Sequence, residues 1–146
     1  LYDHPNNLFV AGFIGSPAMN FFPAKIVKSG EKIIVDTGDF KVQIPDELTG
    51  PYKGLDGRSV IFGIRPENIH DPEFAPSNIR GEKVSAKVDV TELMGNETLL
   101  YLLSGKNIFV GRVDPRSHLR VGNQPDMIFD MGKFHVFDAT TEEAIR

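Results

Sequence analysis

The chain has 146 residues, of which 40% are apolar and 25% are charged, which is typical of one globular domain or two small ones. Its formal net charge of −4 argues against a nucleic-acid-binding surface, because such surfaces need clustered lysine and arginine. The absence of cysteine excludes a disulfide framework and a thiolate metal site. The longest apolar run, residues 8–14, is too short to cross a bilayer. Because the chain starts at Leu1 without a methionine, we expect it to be a piece of a longer protein.

A short helix is predicted over residues 1–15. Pro5 can occupy a first helical position with Asp3 or His4 near the cap; alternatively, Asn6 or Asn7 caps the helix by accepting hydrogen bonds from free backbone amides. Gly15, followed closely by Pro17, is a typical helix end. The side chains expected to pack on the rest of the domain are Leu8, Phe9, Phe13 and Ile14.

A three-stranded β-meander is predicted after the helix. Phe40, Val42 and Ile44 alternate with polar residues, which is typical of a strand with one buried face. Turns that contain glycine separate this strand from the two before it. The meander strands are predicted over residues 22–27, 32–35 and 40–44, and a loop rich in proline and glycine follows over residues 45–57.

The remaining chain also has the pattern of β-structure. From Lys83 to Thr91 small apolar residues alternate with polar ones, so a single strand is predicted with one face in the core. The core-facing residues of this strand are Val84, Ala86, Val88 and Val90. Further strands are predicted over residues 60–64, 97–103 and 108–113, and residues 127–131 and 134–137 are predicted to form a last hairpin around Gly132-Lys133. Residues 140–146 are expected to be a short helix or a frayed end.

Many short strands separated by glycine turns favour closed or sandwiched β-structure, since closure removes exposed strand edges. The predicted fold class is therefore mainly β: an OB-like β-barrel with an N-terminal short helix and an additional β-meander.

The residues needed for common catalytic chemistry do not come together in the sequence. A phosphate-binding loop needs a Gly-Lys pair followed by Ser or Thr, but Lys106 precedes Asn107 and Lys133 precedes Phe134. The four histidines are scattered without the spacing of helical zinc ligands. We therefore expect no catalytic residue, no bound cofactor and no metal site in this chain.

The sequence of one motif, residues 63–69, predicts its local backbone conformation. In the run Gly63-Ile64-Arg65-Pro66-Glu67-Asn68-Ile69, Arg65 precedes proline and is expected to be extended. Pro66 can start a single helical turn, and the negative charge of Glu67 suits the exposed amides of that turn. The run resembles the hallmark of the TOBE domain, the transport-associated OB fold of sugar-importer ABC ATPase subunits of the maltose-transporter type.

Other stretches resemble the same family in order and spacing. Residues 92–98, Glu-Leu-Met-Gly-Asn-Glu-Thr, resemble its E-x-x-G-x-E-T element, and residues 6–20, 110–117 and 134–138 resemble further parts. The resemblance implies a linker helix from a missing ATPase core at residues 1–19, a β-meander that packs on the barrel at 20–57, and a TOBE/MOP-like barrel at 58–146. It assigns structural or interaction roles, rather than catalysis, to Gly63, Arg65, Pro66, Glu67, Glu92, Gly95 and Glu97.

The resemblance also implies a function. The chain would be a non-catalytic regulatory and dimerisation domain of the ATP-binding subunit of a carbohydrate importer, and not an enzyme on its own. Its partners would be its own ATPase core, a second copy in a homodimer, the membrane subunits, and in some members a regulatory protein or small effector. ATP and Mg²⁺ would belong to the full-length subunit, in the cytoplasm at the inner face of the cell membrane.

Two other functions are compatible with an OB-like barrel. A molybdate-like small-anion site or another effector site could use the free amides of glycine-rich turns, although no basic cluster surrounds them in the sequence. Oligonucleotide binding needs stacking aromatics in a basic groove, and the negative net charge and the absence of tryptophan speak against it.

Overall fold

A computed structural model describes residues 4–13, 15 and 17–146 of the chain, except for the side chain of Phe13. Within these residues there are one short α-helix and eleven strands, so the mainly β class predicted from the sequence is confirmed. None of the described helices is long and apolar enough to span a membrane. The helix is α1 (Leu8–Phe13), and the strands are β1 (Asn20–Ser29), β2 (Lys32–Asp36), β3 (Lys41–Ile44), β4 (Ser59–Ile64), β5 (Ile69–His70), β6 (Gly81–Ser85), β7 (Lys87–Leu93), β8 (Thr98–Ser104), β9 (Asn107–Val113), β10 (Asp126–Asp130) and β11 (His135–Asp138).

The strands form three antiparallel sheets. The largest has the order β11-β4-β1-β2-β3, and the two smaller sheets have the orders β5-β10-β6 and β7-β8-β9. The meander β1-β2-β3 is present as predicted, but β4 pairs directly with β1 and places Phe62 opposite Phe22. Strands from both sides of the predicted boundary between residues 57 and 58 therefore belong to the same sheet.

Phenylalanine rings from all three sheets meet in one core. The ring centroid of Phe22 on β1 lies 5.8 Å from that of Phe62, 5.4 Å from that of Phe109 on β9, and 6.3 Å from that of Phe129 on β10. All four side chains are fully buried. Each buried aromatic ring removes a large apolar area from water, so this cluster is the main link between the sheets.

The helix is shorter than predicted. Among the alternative caps predicted from the sequence, Asn7 is the one that the structure shows, because its Oδ1 accepts a hydrogen bond of 2.8 Å from the backbone N–H of Val10. Ala11 is fully buried, whereas Phe9 is 69% exposed, so the assignment of Phe9 to the packed face is wrong. Ile14 and the side chain of Phe13, which were also assigned to that face, lie outside the described residues.

The long strand predicted over residues 83–91 is two strands in two sheets. β6 pairs with β10 and β7 pairs with β8, and the chain passes from one sheet to the other at Ala86. The pairing of β7 with β8 also shifts between Val88 and Val90, as in a β-bulge. One extra residue reverses the alternation of faces, so Val88 is fully buried but Val90 is 47% exposed. Val84, Ala86 and Val88 face the core as predicted, and the prediction for Val90 is wrong.

The last predicted hairpin is also wrong. β10 and β11 are joined by a turn at Gly132-Lys133, but β10 pairs with β5 and β6 while β11 pairs with β4. After β11 the chain is neither a helix nor frayed. The backbone N–H of Leu8 donates to the carbonyl of Glu142 at 2.9 Å, and that of Ile145 donates to the carbonyl of Val136 at 2.8 Å. The C-terminal segment therefore holds α1 against the large sheet.

Candidate interaction surface

The sequence-predicted site residues lie in two neighbouring segments, residues 63–67 and residues 92–97. Arg112 of β9 lies close to a glutamate of each segment. The 3₁₀ turn Pro66–Asn68 packs against β9, and it carries Glu67 towards Arg112 of that strand. Arg112 Nη1 lies 3.8 Å from Glu67 Oε1, and Arg112 Nε lies 3.2 Å from Glu97 Oε2. Each of the three side chains is about a quarter to a third exposed, so water screens the pairs and each contributes roughly 0–1 kcal/mol.

Gly63, Arg65 and Pro66 form the approach to this turn. Arg65 is extended, with φ −78° and ψ 149°, and Pro66 starts the 3₁₀ turn, as the sequence predicts. A Cβ added at Gly63 would lie 2.6 Å from Met19 Sδ, so the methionine side chain would have to shift to accept a larger residue there. Arg65 is only 2% exposed, and it lies within the molecule rather than on an interaction surface.

Glu92 and Gly95 lie on the hairpin that joins β7 to β8. Gly95 has a φ of +72°, a conformation that favours glycine, and it turns the chain between the two strands. Glu92 is exposed, and the Tyr101 hydroxyl donates to its Oε1 at 3.4 Å. Glu92 thus contacts the tyrosine of the next strand, whereas Glu67 and Glu97 contact Arg112.

An apolar surface extends from Glu92 along the sheet β7-β8-β9, and sequence reasoning did not identify it. In the sheet β7-β8-β9 the cross-strand pairs Val90–Tyr101–Val110 and Leu103–Ile108 lie on the outer face. Ile108 is 72% exposed and Val90 is 47% exposed. The outer face of β7-β8-β9, defined by Val90, Tyr101, Leu103, Ile108 and Val110, has Glu92 and Arg112 at one end.

A sequence signal for this face exists. β8 carries five apolar or aromatic residues in succession, Leu99 to Leu103, instead of alternating with polar residues. A strand of that composition has two apolar faces. The inner face packs in the core through Leu100 and Leu102, which leaves the outer face apolar as well.

The residues that could support catalysis have separate structural partners. The Ser117 hydroxyl donates to the buried carboxylate of Asp71, while His118 Nδ1 lies 3.3 Å from Glu73 Oε2. Burial lowers the pKa of His70, and the nearby Asp130 carboxylate opposes that shift. No group of three histidine, aspartate or glutamate side chains within the described residues is arranged to hold a metal ion.

Asp36 and Asp39, two carboxylates in and beside the β2–β3 turn, each accept hydrogen bonds. Asp36 Oδ1 accepts from the backbone N–H of Gly38 at 2.8 Å. Asp39 Oδ2 accepts from the backbone N–H of Lys106 at 3.0 Å and from Asn107 Nδ2 at 3.1 Å. Asp39 therefore joins the β2–β3 turn to the β8–β9 turn, which is a structural role.

Comparison with known proteins identifies relatives of the chain. Residues 15–69 match the family described as the MalK OB fold domain. The trehalose/maltose import ATP-binding protein MalK of Thermococcus litoralis is 46% identical over 99% of this chain and 39% of its own length. The multiple sugar-binding transport ATP-binding protein MsmK of Streptococcus mutans is 43% identical over 100% of this chain and 38% of its own length.

The oligosaccharides import ATP-binding protein MsmX of Bacillus subtilis is 38% identical over 100% of this chain and 40% of its own length. The chain thus spans about two fifths of the curated relatives it matches. Among solved structures, the cytoplasmic molybdate-binding protein ModG aligns with a TM-score of 0.58 at 11% identity, over 84% of this chain and 96% of that one. At this identity the likeness concerns the fold alone, and it confirms the predicted OB-like class.

Proposed function

We propose that this chain, whose residues 15–69 match the MalK OB fold domain family, is the regulatory and dimerisation domain of the ATP-binding subunit of a carbohydrate ABC importer. Its similarity to three sugar-import ATP-binding proteins, over essentially its whole length, supports the proposal. In this proposal ATP and Mg²⁺ belong to the ATPase core of the longer subunit, and the absence of a Gly-Lys-Ser/Thr phosphate loop from these 146 residues is consistent with it.

The observation that carries the dimerisation role is the apolar outer face of β7-β8-β9. Large contiguous apolar areas on a protein surface are typical of interaction sites. The face combines branched aliphatic side chains with Tyr101, and Glu92 and Arg112 provide opposite charges at its end. A two-fold axis near this end would bring Glu92 of one copy towards Arg112 of the other, as a self-complementary interface requires.

The remaining partners follow from this assignment. The domain would sit beside its own ATPase core in the cytoplasm, at the inner face of the membrane that holds the importer's membrane subunits. A regulatory protein or a small effector would act on the surface that the dimer leaves open. The net charge of −4 argues against nucleic acid as a partner.

Sedimentation equilibrium of the Ile108→Asp variant tests the dimer. Ile108 is largely exposed in the single chain, so the substitution should leave the thermal unfolding midpoint within about 3 °C. In a symmetric dimer it removes two buried isoleucines and adds two charges, so the dissociation constant should rise about a hundredfold or more.

Val121→Asp is the matched control. Val121 is an exposed apolar residue in the loop between β9 and β10, outside the face defined above. It should dimerise like the parent chain. Equal weakening by both substitutions, or a parent chain that stays monomeric at its highest soluble concentration, would contradict the role of this face.

A further inference from the structure

We propose that the C-terminal segment, residues 142–146, and the N-terminal segment, residues 4–13, form one cooperative unit that opens while the three sheets stay folded. When the unit is closed, the C-terminal segment holds the N-terminal segment, which contains α1, against the largest sheet. Neither segment includes a residue of β7, β8 or β9, so the inference goes beyond the dimerisation role proposed above.

The C-terminal segment is hydrogen-bonded along both of its edges. On one edge, the backbone N–H of Ile145 donates to the carbonyl of Val136 in β11 at 2.8 Å. On the other edge, the backbone N–H of Ala144 donates to the carbonyl of Asn6 at 2.9 Å. The C-terminal segment therefore lies between the largest sheet and the N-terminal segment. If it leaves, the N-terminal segment loses these hydrogen-bond partners, so we expect the two segments to open together.

Arg146 strengthens the contact between the two segments. Its Nη2 donates to the carbonyl of Pro5 at 2.8 Å and to Asn6 Oδ1 at 2.7 Å. A hydrogen bond from a charged donor is stronger than one between neutral groups. The side chain of Arg146 is exposed, however, so water competes for the same donor and limits how much the arginine stabilises the closed state.

The two segments pack largely outside the main core. Ala11 of α1 is buried with Met19 and Phe137 in a small cluster that is separate from the main core. Phe137 points to the opposite face of the largest sheet from its neighbour Val136, which belongs to the main core. Ile145 packs against the main core but is only half-buried. Opening would therefore uncover the small cluster and leave the phenylalanine core intact, and such segments open at a lower free energy than the whole domain.

Backbone strain at Glu142 favours opening. Glu142 starts the C-terminal segment and has a φ of +63°, in the left-handed region that favours glycine. A residue with a side chain is strained in that conformation, and the strain disappears when the segment is released. Arg146 at one end of the segment therefore stabilises the closed state, and Glu142 at the other end destabilises it.

Opening would change how a preceding domain is attached. In the subunit proposed above, the chain from the ATPase core enters this domain through the N-terminal segment. The closed unit would hold that chain against the largest sheet, and the open unit would leave it free to move. This consequence rests on the proposed function, whereas the opening is a property of this chain alone.

Amide hydrogen exchange of the 146-residue chain, measured by NMR, tests the opening. The amides of Leu8, Ala144 and Ile145 report on the two segments, because each donates a hydrogen bond that opening breaks. The amide of Ile26, which donates to the Arg58 carbonyl at 3.0 Å and belongs to a residue of the main core, reports on the sheets. We expect the segment amides to have similar protection factors, about tenfold or more below that of Ile26.

A core substitution distinguishes opening of the two segments from unfolding of the whole chain. Val42 is buried in the main core on β3, and Val42→Ala should lower the protection factor of Ile26 about tenfold. Because the sheets stay folded when the segments open, the same substitution should leave the protection of Leu8, Ala144 and Ile145 unchanged. An equal fall at the segment amides and at Ile26 would show that the segments open only when the whole chain unfolds, and it would overturn the proposal.

Two substitutions in the C-terminal segment should act in opposite directions. Arg146→Gln removes charged hydrogen bonds, so the protection of the segment amides should fall about tenfold. Glu142→Gly removes the strain, so their protection should rise about threefold. Arg120→Gln is the matched control, because Arg120 also donates to main-chain carbonyls, those of Ser117 and Leu119, but in the loop between β9 and β10. It should leave the segment amides unchanged.

Other results would also overturn the proposal. They are segment amides as well protected as Ile26, an Arg146→Gln variant whose segment amides exchange like those of Arg120→Gln, and a Glu142→Gly variant that exchanges no more slowly than the parent. Arg146→Gln should self-associate like the parent in sedimentation, because Arg146 lies outside β7-β8-β9. The opening and the dimerisation can thus fail independently.

Discussion

The carboxylate of Asp138 joins the end of β11 to two other parts of the chain. Its Oδ1 accepts hydrogen bonds from the backbone N–H groups of Thr140 and Thr141 at 2.8 and 2.9 Å. Its Oδ2 lies 2.6 Å from Arg58 Nη2, just before β4. The two backbone hydrogen bonds and then Arg58 hold the pKa of Asp138 below its usual value of 3.8. The charged form is therefore the one that fixes this corner.

This shift predicts how stability depends on pH. A carboxyl group whose folded-state pKa is lowered stabilises the protein fully above its unfolded pKa, and that contribution disappears as the pH falls through the folded pKa. Asp138→Asn should therefore melt at a lower temperature than the parent at pH 7, and the gap should narrow as the pH falls below 3.8. Thermal unfolding across that range measures it.

Asp126→Asn is the control for the loss of one exposed carboxylate, since Asp126 lies exposed at the start of β10. It should stay close to the parent at every pH. A gap for Asp138→Asn that is constant, or that widens in acid, would show that the charged form of Asp138 does not stabilise the fold.

At the level of elements, local patterns predicted the strands better than their partners. Alternation in residues 40–44 and glycine turns mark strands because both depend on neighbouring residues. The β-bulge between Val88 and Val90 depends instead on how β7 pairs with β8, and residues next to the bulge in the sequence do not specify that pairing. Likewise Ala86 looks like one more core residue of a continuous strand, although the chain changes sheets there.

The bulge supports a direct comparison of two substitutions on one strand. Val88→Asp would place a carboxylate in the core without a partner, so the free energy of unfolding should fall by about 3 kcal/mol or more. Val90→Asp changes an exposed residue and should alter the free energy of unfolding by about 1 kcal/mol or less.

Urea unfolding of both variants, with the parent as reference, measures the two values. The same substitution on the same strand controls for the change in β-propensity and in net charge. Similar losses of stability in the two variants would mean that both valines face the core, and hence that β7 has no bulge at this point.

At the scale of the whole molecule, the sequence predicted the class of fold but not which distant strands pair with each other. The resemblance motifs correctly placed Pro66 in a turn and Gly95 in a hairpin, since these are local conformations. The pairing of β4 with β1 and of β11 with β4 joins segments that look independent in sequence. The ion pairs of Arg112 with Glu67 and Glu97 have the same origin, because they need β9 to lie beside the 3₁₀ turn.

The proposal that ATP hydrolysis belongs to the ATPase core and regulation to this domain can be tested in the longer ATP-binding subunit that we propose. Glu92 is exposed on the outer face of β7-β8-β9. In the proposed dimer a lysine at this position would repel Arg112 of the second copy, whereas Glu92 attracts it. Glu92→Lys should therefore weaken the dimer contact or alter regulation. Basal ATP hydrolysis should stay largely intact, because the sequence places no phosphate loop in this domain.

Basal ATPase rates of the parent subunit and of the variant measure this directly. Glu31→Lys is the matched control, since Glu31 is exposed at the turn between β1 and β2 and its substitution changes the net charge equally. It should affect neither the dimer nor hydrolysis. If Glu92→Lys abolished hydrolysis while folding and ATP affinity were preserved, Glu92 would belong to the catalytic machinery. In that case the outer face of β7-β8-β9 would take part in ATP hydrolysis and not only in its regulation.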